Sequence, residues 1–234
     1  MDEFLAAFAS ALDLLTTLDA NLLEIVALSL EVALAGLALG AVAGLPLGAA
    51  LALFRFRGRG FAVITLNAMM GLPPVVVGLV VYLLLSRSGP AGSLGWLFTA
   101  KAMVIAQFIL VTPILAALTR QVVEDLWEEY SDQLQSLGVG PARAVPTLLW
   151  DGRYRLVTTL LAGFGRAIGE VGAVLIVGGN IAHVTRVMTT AITLETSKGD
   201  LSLALALGLV LLLLSLGVSA AAAAARDLAA GLDG

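Results

Sequence analysis

Arg120-Gln-Val-Val-Glu-Asp-Leu-Trp-Glu-Glu-Tyr130-Ser-Asp-Gln-Leu-Gln-Ser-Leu-Gly138-Val-Gly140-Pro141-Ala-Arg143-Ala-Val-Pro146-Thr-Leu-Leu-Trp150-Asp-Gly-Arg-Tyr-Arg155 decides how this chain reads. Arg120, Glu124, Asp125, Glu128, Glu129, Asp132, Arg143, Asp151, Arg153 and Arg155 give it a charge density that its apolar flanks lack. Each flank is long enough to cross a bilayer, for which roughly 20 mostly apolar residues suffice. Gln121 to Leu137 can form one helix, Gly138-Val139-Gly140 breaks it, and Pro141 suits the first turn of the next. The acids make a solvated surface. A short projecting helix beside such a surface suits an exchange of force with a soluble partner; an amphipathic connector is the plainer alternative.

Working outward, 59% of the residues are hydrophobic and 13% charged, with mean hydropathy +1.00. Soluble domains carry about 25% charged residues, so composition places the chain in the membrane class. The absence of cysteine excludes disulfides, thiolate metal sites and cysteine nucleophiles. Met1-Asp2-Glu3 is acidic where a secretory signal would be basic, and Phe4 to Leu18 is short for a span, so an interfacial helix is expected there.

Five spans follow, at about 22–54, 61–85, 98–118, 156–181 and 201–225. With the polar segment 120–155 they make residues 1–234 one all-α transmembrane domain. Gly36, Gly40, Gly44 and Gly48 recur every four residues of the first span, a spacing that lets another backbone approach. In the second span Pro73-Pro74 removes two backbone donors, which points to a kink, either lining a pore or buried in structure. Gln107 and Pro113 interrupt the third. Arg55, Arg57, Arg59, Arg120, Arg143, Arg153, Arg155 and Arg226 face four basic residues on the other side, Arg87, Lys101, Arg186 and Lys198. The excess makes the first group cytoplasmic, with the N-terminus outside and the C-terminus inside.

The fourth span holds the costliest residues. Arg166 and Glu170, four apart, can pair on one helix face; in mid-bilayer each costs about 2.5–3.5 kcal/mol and such residues usually face a bundle interior or an aqueous cavity. The pair either fixes packing or stands beside a translocation path, with Arg166 the better candidate for an anion. His183 is the only histidine and has no partners for a metal site. Thr189, Thr190, Thr193, Thr196 and Ser197 could donate hydroxyls to an oxyanion, but a solvated loop is the expected state of this stretch. There is no Gly-x4-Gly-Lys-Ser/Thr, HExxH or Gly-x-Ser-x-Gly, so no catalytic residue is expected.

The central segment resembles the cytoplasmic EAA loop of ABC importer permeases. Asp132-Gln133-Leu134 stands at the Glu-Ala-Ala position, Gly138 is correctly placed six residues after Asp132, and Leu148 falls near the Ile of the closing motif. The two alanines and the final Leu-Pro are missing, with Trp150-Asp151 in place of the latter. Asn67 to Tyr82, Ser86-Arg-Ser-Gly-Pro90, Gly165-Arg-Ala-Ile-Gly-Glu-Val-Gly172, Val177-Gly-Gly-Asn180 and Thr189 to Asp200 together resemble tungstate-type permeases of the molybdate, tungstate and sulfate group. The resemblance implies a type I ABC importer permease fold in the cell membrane, working by alternating access. It implies a homodimer with cytoplasmic ATPase subunits that bind ATP and Mg²⁺, and an extracytoplasmic binding protein that delivers the oxyanion. No cofactor on this chain and no nucleic-acid partner are expected. The coupling role carries onto Asp132, Leu137 and Gly138, with Arg143 beside them. Pro73, Pro74, Arg166, Glu170 and Thr190 are the candidates for the pathway or its gate. A self-contained secondary anion transporter is the alternative from another class, and inverted repeats, common in such proteins, are not found.

Overall fold

In the computed structural model, residues 2–230 are described; Met1 and residues 231–234 of the domain read from sequence lie outside them, as does the Arg226 side chain. The described residues form ten α-helices and no strand: α1 (Asp2–Thr16), α2 (Ala20–Leu53), α3 (Arg59–Met70), α4 (Pro74–Leu85), α5 (Ala100–Ser136), α6 (Pro141–Asp151), α7 (Arg153–Ile168), α8 (Gly172–Gly178), α9 (Met188–Lys198) and α10 (Leu201–Ala230). Three helices, α2, α5 and α10, are long and apolar enough to cross a membrane alone. The pairs α3 with α4 and α7 with α8 reach that length only together, which gives up to five spans.

The kink expected at Pro73-Pro74 is a full break, with α3 ending at Gly71 and α4 starting with Pro74 at its first position, where a missing N–H costs nothing. Three other expectations are corrected. The fourth span is also two helices, because Gly169-Glu170-Val171 leaves the helix. Arg166 and Glu170 therefore meet across a helix end and not along one helix face. The helix of the third span does not stop at Leu118; α5 has 37 residues, about 55 Å at 1.5 Å per residue, and includes most of the acidic surface. The threonine stretch is not a solvated loop, since α9 occupies it and buries Thr189 and Thr190.

The chain divides into two compact units. One comprises the chain up to Gly36, Pro73–Gln107 and Arg166–Gly217; the other comprises Leu37–Leu72, Phe108–Gly165 and the chain from Val218. In the first unit α4 lies on α8, where a Cβ on Gly78 would stand 2.9 Å from the Ala173 Cα. A Cβ on Gly36 would stand 2.5 Å from the Gln107 Cβ. In the second unit the rest of the glycine stripe meets α5, and a Cβ on Gly48 would stand 2.4 Å from the Ala116 carbonyl oxygen. Gly36 and Gly48 thus let backbones approach to a distance that alanine cannot reach.

Replacing Gly48 with alanine should destabilise the protein by about 1–3 kcal/mol, the usual cost of overpacking. At Gly208 an added Cβ meets nothing within 4 Å. G208A should therefore be neutral or slightly stabilising, and thermal unfolding of the two variants in detergent compares them directly.

Candidate functional site

The first unit has to solve a problem set by its own sequence. Leaving the helix at Gly169 frees backbone groups inside an apolar span, where each unsatisfied one costs several kcal/mol. Side chains from other helices take them up. Gln107 Nε2 of α5 donates to the Ala167 carbonyl at 2.9 Å, and Thr189 Oγ1 of α9 donates to the Glu170 carbonyl at 2.7 Å. Ser29 Oγ of α2 accepts from the Met188 N–H at 2.7 Å and donates to Ile25 O. Glu170 itself accepts from the Ala173 N–H through Oε1, at 3.1 Å, in the first turn of α8. Its other oxygen takes the Arg166 guanidinium.

The two members of that ion pair are unequal. The Glu170 side chain is 3% exposed and both its oxygens are engaged. Arg166 is 33% exposed, and its remaining donors have no partner among the described residues. Ser29, Gln107, Glu170 and Thr189 line a small cavity with Val32, Ile168, Val174 and Met188. Gln107 Oε1 is buried there without a described partner. Pro73 and Pro74 come to the same place: a Cβ on Gly172 would lie 2.8 Å from Val75 Cγ2, so the start of α4 abuts the start of α8. Thr190 is buried, but its hydroxyl closes the start of α9 on Val187 N and O. His183 sits at the surface on Glu24, at 2.8 Å. Among the described residues no group of three or more His, Asp or Glu could hold a metal ion.

In the second unit the central segment forms a corner. Gly138 has φ +75°, which halts α5, and Pro141 starts α6. Ala144 and Leu148 of α6 are buried with Ala49, Leu53, Val123 and Leu126 of α2 and α5. The opposite stripe of α6, Ala142, Arg143, Pro146, Thr147 and Trp150, is exposed, as are Asp132 and Leu137. Phe54, Gly138, Gly140, Pro141, Ala142 and Arg143 line an open cleft at the corner. Arg59 and Arg120 both pair with Glu124, and Arg59 also donates to Leu51 O, so the base of the corner is tied to the end of α2.

Residues 44–226 match the family of binding-protein-dependent transport system inner membrane components. The chain belongs to this family. It is 43% identical over 185 residues to a probable anion ABC transporter permease protein of Haloferax volcanii, covering 77% of this chain and 80% of that one. It is 38% identical over 200 residues to the tungstate uptake system permease protein TupB of Peptoclostridium acidaminophilum (86% and 88%). It is also 38% identical over 149 residues to TupB of Campylobacter jejuni (64% and 62%). This permease is therefore an all-helical, multi-pass membrane protein of the ABC importer type, as its central segment and membrane blocks imply.

Sequence reasoning singled out Arg166, Glu170, Pro73 and Pro74, which the fold gathers at the two helix breaks. It missed Ser29 and Thr189 as partners, and treated Gln107 as an interruption. The available signal was a lone polar residue in an otherwise apolar span, which in lipid must find a partner. Ser29→Ala strands the Met188 N–H and should cost about 1–3 kcal/mol. Chemical denaturation of the permease in mixed micelles measures it.

Proposed function

We propose that this chain is the permease subunit of an ATP-driven importer of a tetrahedral oxyanion, with tungstate first and molybdate or sulfate as the alternatives. The corner between α5 and α6 carries this reading. One face of α6 is fixed in a core with α2 and α5, while the other stands open, so a push on the open face acts on two span-forming helices at once. The push comes from separate ATPase subunits, which bind ATP and Mg²⁺. Asp132, Leu137, Gly138 and Arg143 take part in coupling, joined by Pro146, Thr147 and Trp150 of the same open stripe.

The relatives named for tungstate uptake support the choice of substrate, and an extracytoplasmic binding protein selects among the dianions. The N-terminus lies outside and the C-terminus in the cytoplasm. Residues 1–234 act as one transmembrane domain, paired with a second copy. In alternating access the breaks at Pro73-Pro74 and Gly169–Val171 supply the hinges, because little helical hydrogen bonding has to be broken there. Arg166 faces the anion with its free donors, Glu170 moderates its charge, and Thr190 holds the start of α9. This chain performs no bond chemistry of its own.

Gly138→Glu should abolish ATPase-subunit copurification or transport-coupled ATP hydrolysis, because a non-glycine at φ +75° costs about 1–2 kcal/mol and the side chain enters the cleft. Arg166→Ala should leave copurification intact and lower tungstate uptake into proteoliposomes at least tenfold. Unchanged coupling in G138E would overturn the role of the corner.

A further inference from the structure

Phe54-Arg55-Phe56-Arg57 joins α2 to α3 outside any helix, and all four residues are exposed. Four other arginines of the same unit are held by neighbours, while Arg143, on the open face of α6, makes no ion pair or hydrogen bond to a described residue. Arg59 and Arg120 are held by Glu124, and Arg155 by Asp125 at 3.0 Å. Arg153 stacks over Trp150 and Tyr154, 5.2 and 4.7 Å from the ring centroids, and donates to Trp150 O. Arg55 and Arg57 make no ion pair or hydrogen bond to any described residue.

The position of these two arginines is set by what flanks them. The apolar helix α2 ends at Leu53, and α3 starts at Arg59 with Phe61 and Ile64 exposed at 76% and 67%. Side chains that apolar and that open, on an element of a candidate membrane span, suit hydrocarbon. The short segment between two such helices then suits the membrane edge. Phe56, 50% exposed, has a ring that fits the acyl boundary, while guanidinium groups without carboxylate partners fit phosphate oxygens bidentately. We infer that Arg55 and Arg57, with the exposed Phe56 and Phe61 close by in sequence, form a binding site for the headgroup of an anionic phospholipid. The site needs only the membrane edge, and depends neither on the oxyanion carried nor on the direction of transport.

Each basic residue near an anionic surface contributes about 1 kcal/mol, close to a fivefold change in binding. The experiment takes the full-length permease, copurified with its ATPase subunit, from membranes of mixed phosphatidylglycerol and phosphatidylcholine. Native mass spectrometry then reads the ratio of the two lipids retained after mild delipidation. The wild type should retain phosphatidylglycerol selectively. R55Q and R57Q should each lower the ratio about fivefold, and R55Q/R57Q should lose most of the selectivity. R55K/R57K should keep most of it, which separates charge from folding. A wild-type ratio in R55Q/R57Q overturns the inference. So does loss of the ATPase subunit at an unchanged lipid ratio, which would make the segment a protein contact.

Discussion

An unpaired backbone group inside an apolar span is the cost on which the rest of this fold depends. A continuous helix avoids it, and α2, α5 and α10 do so. Two spans do not, and the break at Gly169–Val171 persists because Gln107, Thr189 and Ser29 reach it or its neighbourhood from three other helices. A helix break satisfied from outside has a property that a satisfied helix lacks. Its hydrogen bonds join different elements, so displacing one helix changes the partners of another. That dependence is what an alternating-access device requires, and it explains why polar residues cluster where the chain is otherwise Leu, Ala and Val.

Close approach is the second requirement, since such bonds span only about 3 Å. Glycine supplies it. Gly36 brings the α2 backbone up to Gln107, whose amide then reaches Ala167, while Gly78 brings α4 onto α8. Gly36 and Gly78 and the polar cluster of the first unit are therefore one design seen in two residue types: the small residues set the distance and the polar ones use it.

Much of this was legible before any coordinates. Hydropathy alone located the five candidate spans, and Gly138 and Pro141 marked the corner because one favours a left-handed backbone and the other needs no N–H. Glycine periodicity marked a packing face. Three things were not legible, each because it depends on residues far apart in sequence. The extent of α5 was missed because a change from apolar to acidic residues alters the solvent and not the helix. The break at Gly169 was missed because glycine also serves as a packing residue in membrane helices, and nothing local distinguishes the two uses. The burial of Thr189 was hidden because a threonine-rich stretch looks the same whether its hydroxyls meet water or a carbonyl nineteen residues away in the chain.

The same long-range pairing bears on how an anion could pass. A lone guanidinium inside a span would attract a dianion strongly and then hold it, whereas conduction requires binding weak enough to release. Glu170 sits within reach of Arg166 and is held in place by the first turn of α8, so it cannot drift away as an exposed carboxylate would. The pair presents free N–H donors with little net charge. An arrangement of this kind can meet the oxygens of a tetrahedral anion by hydrogen bonding while the full Coulombic attraction is withheld. If Arg166 faces the anion as proposed above, Glu170 takes part in transport as well. Removing the carboxylate would convert a passage into a trap, so tighter anion binding in its absence would accompany slower transport.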